Sequence, residues 1–280
     1  GERGRRPVIR DITIGQHFPG NSPVHRMDPR MKLLLTIAYI IMLFAGSGNM
    51  QHPNFAGLAV AAVFLALLYM AAKIPLKVIA KSLKPILPII LFSSVLNLFF
   101  LTGEGPPLVQ WGFFTIYREG VAYAVMIAVR IVCLIAGTSL LTYTTSPIVL
   151  TDAIERLLKP FAKLKLPVHE LAMIMTIALR FIPTLIEETE KIMNAQKARG
   201  AQLDAGKLKD RVKALVPVLI PLFISAFRRA DELATAMECR CYQGGEGRTR
   251  LKSLRMQKSD FAMAAVCIAV FVLMGVTSWL

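Results

Sequence analysis

Two arginines sit where two long helical runs stop. One closes Ala195-Gln196-Lys197-Ala198-Arg199-Gly200-Ala201, the other Ala236-Met237-Glu238-Cys239-Arg240-Cys241-Tyr242-Gln243-Gly244-Gly245. In each case glycine follows at once or within a few residues, which marks the last turn of a helix. Two readings of such an end stay open on the residues alone. A basic side chain offsets the negative end of the helix while glycine takes the left-handed cap, worth about 0.3–1 kcal/mol. Alternatively the guanidinium is the tip of a rod that enters an acidic groove on another protein, because it stays charged and binds carboxylate through two parallel bonds. Truncating such a pair at a buried interface costs about 2–5 kcal/mol.

Catalytic motifs come close and fail. A phosphate-binding loop needs G-x-x-x-x-G-K-S/T, whereas Gly200 and Gly206 enclose five residues and Lys207 is followed by Leu208. His169-Glu170-Leu171-Ala172-Met173 approaches the zinc motif H-E-x-x-H but has methionine at the second ligand position. Gly244-Gly245-Glu246-Gly247, with Arg248 and Arg250, follows a helix instead of opening one; a basic turn at the membrane surface is expected there. His17, His25, His52 and His169 show no metal-site spacing. Cys133 and Cys267 lie in apolar blocks, and Cys239 and Cys241 read as small fillers, so no disulfide scaffold is expected. No nucleophile–base pair is assembled for a hydrolase.

The elements that carry these residues follow from composition. The chain has 280 residues, 55% of them hydrophobic and 18% charged, with a net charge of +15. Soluble domains average about 45–50% and about 25%. The apolar excess comes in continuous blocks near the roughly 20 residues that a bilayer-spanning helix needs. These are Met31–Gly46, Phe55–Ala72, Ile86–Leu101, Val121–Thr142 and Phe261–Leu280. Pro85 suits the start of the third, and Pro88 is placed to bend it. The expected class is an all-α integral membrane protein with about five transmembrane helices and long amphipathic cytoplasmic helices between the last two. The divisions are residues 1–30 (cytoplasmic), 31–145 (spans one to four), 146–259 (cytoplasmic helices) and 260–280 (last span).

Basic residues set the orientation. With a cytoplasmic amino terminus, residues 1–32, the Lys73–Lys84 loop and residues 146–259 are inside, and they hold 7, 4 and 20 of the 33 Lys and Arg. This satisfies the positive-inside rule, and nothing in the pattern suggests nucleic acid. The GERGRRP start lacks an apolar core and is not read as a secretory signal. Arg130 falls inside the fourth block: either it meets a polar partner, with Ser93, Ser94 and Asn97 as candidates, or the span is shifted and it lies near the boundary. No Asp or Glu lies within the five blocks. That counts against the alternative of a stand-alone secondary transporter or channel, which would carry intramembrane acids or internal repeats.

Residues 146–259 hold three helical segments. Thr151 and Asp152 offer an N-cap to AIERLLKPFAKL, with an apolar stripe at Ile154, Leu157, Leu158 and Phe161. After Pro167 a long run repeats apolar residues at Leu171, Ile174, Met175, Ala178, Ile182, Leu185 and Ile186. A second long run from Leu208 to Arg240 contains ALVPVLIPLFI, too short to span and read as a helix in or just below the interface, with an imperfect further span as the alternative; Pro217 and Pro221 are expected to bend it.

At this point the residues resemble a known family. The paired Ala-Arg-Gly-type helix ends are similar to the coupling motifs of the transmembrane T component, EcfT, of energy-coupling factor transporters. PGNSPVHRMDPRMKLL (Pro19–Leu34), LTYTTSPIVLTDAIERLLKP (Leu141–Pro160), PVHELAMIMTIALRFIPTLIEETEKIMNAQKARGA (Pro167–Ala201) and VPVLIPLFISAFRRADELATAMECRCYQGGEGRTR (Val216–Arg250) resemble its segments in the same order. The second motif departs, with Cys239-Arg240-Cys241 where Ala-Arg-Gly is usual, and this puts the cap geometry there in question. The resemblance implies a non-catalytic subunit for micronutrient uptake that binds no cofactor of its own. ATP and Mg would be held by two ABC-type ATPase subunits, EcfA and EcfA'. Ala198, Arg199, Gly200, Cys239, Arg240 and Cys241 would engage them, and Leu171, Met175, Leu179, Leu215, Leu219 and Phe223 would face a substrate-binding S component in the membrane.

Overall fold

The computed structural model describes residues 18–46, 48, 54–100, 109–111, 114–160, 167–201, 208–244 and 256–279. The described chain is helical apart from one hairpin. Its elements are α1 (Pro23–Arg26), α2 (Pro29–Gly46), α3 (Phe55–Ala72), α4 (Leu76–Leu83), α5 (Leu87–Phe100), β1 (Val109–Trp111), β2 (Phe114–Ile116), α6 (Arg118–Thr144), α7 (Pro147–Leu158), α8 (Val168–Ala198), α9 (Leu208–Cys239) and α10 (Lys258–Trp279). They form two compact units, divided within α7: Gly15–Ala153 with Lys252–Leu280, and Ile154–Leu251 with Gly1–Ile14.

In the first unit α2, α3, α6 and α10 pack on one another, α5 lies along α6, and α1 packs on α3. The four main helices are apolar all round, as helices bathed in lipid must be. Their outward residues, among them Ile41, Val63, Met70 and Phe261, are exposed, while Leu43, Met126, Tyr143 and Met274 are fully buried between them. The two buried tyrosine hydroxyls of this core are paired, since an unmet polar group is costly there. The Tyr39 hydroxyl donates to the Cys133 carbonyl at 3.4 Å, and that of Tyr69 donates to the Ala136 carbonyl at 2.7 Å. Gly137 lets α6 approach α2 closely: a Cβ there would stand 2.5 Å from the Tyr39 ring. Asn54 caps α3 through the Gly57 amide and donates to the carbonyls of Gly46 (3.1 Å) and Thr277 (2.6 Å), tying α2, α3 and α10 at one end.

Several sequence expectations shift. The span from Phe55 to Ala72 is as expected, but α2 starts at Pro29, α6 runs from Arg118 to Thr144, and α10 begins at Lys258. The segment Lys73–Lys84, expected as a loop, contains helix α4, and α4 meets α5 at 59°. The bend falls at Lys84–Ile86 and not at Pro88, because Pro85 is in the turn itself and Pro88 sits in the first turn of α5, where it is tolerated. The third span is correspondingly short. Thr151 is not an N-cap: α7 starts at Pro147, a residue suited to a first helical turn, and the Thr151 hydroxyl donates to the Pro147 carbonyl at 3.0 Å. Arg130 does not meet Ser93, Ser94 or Asn97; its guanidinium donates to the Gly48 carbonyl at 3.2 Å and lies 5.4 Å from the centre of the Phe44 ring. The strands β1 and β2 pair antiparallel, Gln110 opposite Thr115. Five described helices are long and apolar enough to cross a membrane, namely α2, α3, α6, α8 and α10; there are six if the bent pair α4–α5 is counted as one span. Phe161, the GERGRRP start and the turn at 245–250 lie outside the described residues.

Candidate functional site: two arginine-tipped helix ends

The second unit is built on α8 and α9, which pack together. Their contacts run in opposite chain directions. Gln196 meets Pro217, Glu188 meets Ser225 and Arg229, and Ile177 lines one cleft with Leu233 and Met237. The pair is therefore antiparallel. Pro217 and Pro221 explain one contact. Proline at 221 has no N–H for the carbonyl four residues back, and the Gln196 side-chain amide donates to that Pro217 carbonyl at 3.2 Å. α9 stays one continuous helix through both prolines. At mid-length Glu188 accepts from Ser225 Oγ and from Arg229 Nη2 (3.0 Å), and Arg229 also lies over the Phe181 ring. At the start of α8, His169 Nδ1 is 3.1 Å from Glu155 Oε1 of α7, so the histidine of the near-zinc motif joins helices.

Both helices end in the same way. At the end of α8, the Ala201 amide donates to Gln196 O (3.0 Å) and the Gly200 amide to Lys197 O (3.0 Å), with Gly200 left-handed at φ +87°. At the end of α9, the Tyr242 amide donates to Met237 O (3.1 Å) and the Cys241 amide to Glu238 O (2.8 Å), with Cys241 left-handed at φ +53°. Position for position, Ala198-Arg199-Gly200 matches Cys239-Arg240-Cys241, and each arginine is the C-cap. The cap geometry questioned by the sequence is thus kept. It costs more at the second end, because a side chain in the left-handed region is strained by about 1 kcal/mol or more. Cys241→Gly is expected to stabilise this end by about 1 kcal/mol; slower amide exchange in the last turn of α9 is the measurement, and faster exchange would contradict the assignment.

Main-chain bonds close both ends, so neither arginine is needed as a cap. Ala198, Arg199, Gly200, Cys239, Arg240 and Cys241 are all exposed. Among the described residues neither guanidinium makes a hydrogen bond or ion pair. Because α8 and α9 are antiparallel, the two tips point away from each other. From the register of Gln196 on Pro217, they stand on the order of 40 Å apart at 1.5 Å per residue.

The pair also leaves apolar surface uncovered. Of the six side chains expected on one face, Leu171, Met175, Leu215, Leu219 and Phe223 are exposed and Leu179 is half-buried. The structure extends this surface with Ile174 on α8, part of the apolar repeat read from the sequence, and with Val212, Val216, Ile220, Ile224 and Phe227 on α9, which sequence reasoning had not singled out. The i, i+4 spacing from Val212 to Ile224, with Phe227 at i+3 beyond, was the available signal.

Sequence reasoning missed a second polar group, in the first unit. Asp28, Lys32 and Asp260 are 5%, 6% and 3% exposed. Lys32 Nζ donates to His25 O (3.0 Å), Thr144 O (3.1 Å) and Thr145 Oγ1 (3.3 Å). Asp260 Oδ1 accepts from the Asp28 amide at 3.2 Å, and its Oδ2 accepts from the Gln257 amide at 2.8 Å. This group ties the starts of α2 and α10 to the end of α6.

With this geometry in place, comparison with known proteins decides the family. The cobalt transport protein family, CbiQ, matches residues 20–251. The energy-coupling factor transporter transmembrane protein EcfT of Clostridium kluyveri is 53% identical over 271 residues, covering 97% of this chain and 98% of its own. Its namesake in Ruminiclostridium cellulolyticum is 52% identical over 261 residues (93% and 95%), and that in Bacillus subtilis 47% over 267 (95% and 98%). The chain belongs to the CbiQ/EcfT family. As an EcfT-family protein it is a multi-pass membrane component of a transporter, in accord with its apolar helices. The matched family spans α1 through α9, so both arginine ends lie inside it.

Proposed function

We propose that this EcfT-family chain is the coupling subunit of an energy-coupling factor importer, with Arg199 and Arg240 each docking one ABC-type ATPase subunit. The supporting observation is the duplication of one cap, with one exposed arginine at the same position, at opposite ends of an antiparallel helix pair. Two outward-facing cations on the order of 40 Å apart suit two separate ATPase subunits better than one. The ATPases hold ATP and Mg, and this chain holds neither. The amino terminus is cytoplasmic, in keeping with the basic residues. α8, although apolar enough to span, belongs to the cytoplasmic linkage: its second half carries Glu187, Glu188, Glu190, Lys191 and Lys197, and Glu188 is committed to α9.

The uncovered face of α8 and α9 receives the S component. A surface of this extent on a soluble-facing element calls for a partner. Leu219→Lys is expected to leave ATPase binding intact and to reduce S-component recovery at least tenfold, measured by quantitative co-purification. Loss of both together would contradict separate surfaces. The broader test is mass spectrometry of the complex purified through this chain. Two ATPase subunits and a small membrane protein are expected, whereas solute transport by the chain alone, without nucleotide, would support a stand-alone transporter.

A further inference from the structure

The short helix α4 has no role in the coupling scheme, yet it carries the most one-sided charge of the first unit. Lys77, Lys81 and Lys84 follow at i, i+4 and i+7, which places them on one helix face, and Lys73 stands at the elbow just before. All four are exposed. The other face is anchored: Val78 and Ile79 pack against the core, and Ser82 Oγ is hydrogen-bonded to the Tyr143 hydroxyl of α6. The lysine row is thus fixed in direction by its own helix.

Among the described residues no acidic side chain pairs with it. The sequence contains no Asp or Glu from Pro29 to Phe100. Among the described residues none of the four lysine side chains makes a hydrogen bond or ion pair. Directly after the 59° bend, α5 turns Leu87, Ile89, Leu91 and Phe92 outward, all well exposed. A row of cations therefore borders a surface fit for hydrocarbon.

We infer that the Lys73, Lys77, Lys81 and Lys84 face of α4, with the outward face of α5 beside it, binds the headgroups of anionic phospholipids. The occupant is set by the combination. An acidic protein would meet the charges but not the apolar strip that continues from them, whereas a phospholipid offers a phosphate and acyl chains in that order. Lysine suits this task, since its stem lies along apolar surface while the ammonium reaches a phosphate as a point charge. The bend sets α4 at an angle to its span, as an interfacial helix requires. This assignment depends on the chain being a membrane protein and is independent of how the arginine ends dock.

The test uses the full chain in mixed micelles of phosphatidylcholine with or without phosphatidylglycerol, reading thermal stability and lipid retained in native mass spectrometry. The wild type should gain thermal stability with phosphatidylglycerol and retain it. A K77Q/K81Q/K84Q variant should need at least about tenfold more phosphatidylglycerol for the same shift, while K77R/K81R/K84R keeps it and inorganic phosphate alone gives none. The inference is overturned if the glutamine variant responds like wild type, or if inorganic phosphate reproduces the shift. It is also overturned if the glutamine variant keeps its lipid response and instead loses a protein partner.

Discussion

Reversing both arginine tips, R199E/R240E, is expected to abolish ATPase association and ATP-driven uptake, with each single change causing a large partial loss. The truncation of a guanidinium–carboxylate pair at a buried interface costs about 2–5 kcal/mol, roughly 30- to 5,000-fold in affinity. A glutamate adds like-charge repulsion against an acidic groove. Folding should be unaffected, because both side chains are exposed and the helix ends are closed by the amides of Gly200, Ala201, Cys241 and Tyr242. Sites this far apart behave additively, so the double variant should lose the product of the two single losses if the ATPases bind independently. Arg→Lys at either end keeps the charge but not the two parallel bonds, and should fall between wild type and reversal. Pull-down in detergent and uptake in proteoliposomes read the two effects, with thermal stability as the control. Wild-type ATPase binding by R199E/R240E would remove the docking scheme.

The parts of this architecture that were legible in the sequence are those that physics forces to be local. A bilayer demands an unbroken apolar stretch, so Phe55–Ala72 could be read to the residue. A helix end writes its cap into adjacent positions, so Arg199 and Arg240 were both found there. Where a signal was weak or remote, reading failed. α4 has only eight residues, and lysines at 77, 81 and 84 look like any basic loop until Val78 and Ile79 are seen packed. Thr151 resembles an N-cap, but Pro147 outcompetes it by starting the helix a turn earlier. Arg130 finds its carbonyl at Gly48, 82 positions away, a distance no periodicity can reveal. The cap at Cys241 could not be foreseen from residue type, since only main-chain geometry shows a cysteine doing what glycine does at 200.

Asp260 is the extreme case, bonded to the amide of a residue 232 positions earlier, and its removal is expected to be the most damaging single change in the membrane unit. Its carboxylate is 3% exposed and accepts from both the Asp28 and Gln257 amides. Asp260→Ala leaves the Asp28 amide without that acceptor and takes a negative charge from the surroundings of buried Lys32. Breaking a buried charge arrangement from one side costs about 3–5 kcal/mol, a large share of the roughly 5–15 kcal/mol that holds a typical domain together. Asp260→Asn keeps a carbonyl oxygen for one amide and loses the charge, so its cost should be about half. Lys32 provides the control. Its ammonium serves three acceptors on other segments, and Lys32→Met alone should also destabilise. If the charges act together, Lys32→Met and Asp260→Ala combined will cost less than the sum of the two. Thermal unfolding of the detergent-solubilised chain measures all four variants. Strict additivity would mean that Asp260 acts only as the acceptor that starts α10, and an unchanged melting temperature for Asp260→Ala would mean that the joint between α2, α6 and α10 is held by packing alone.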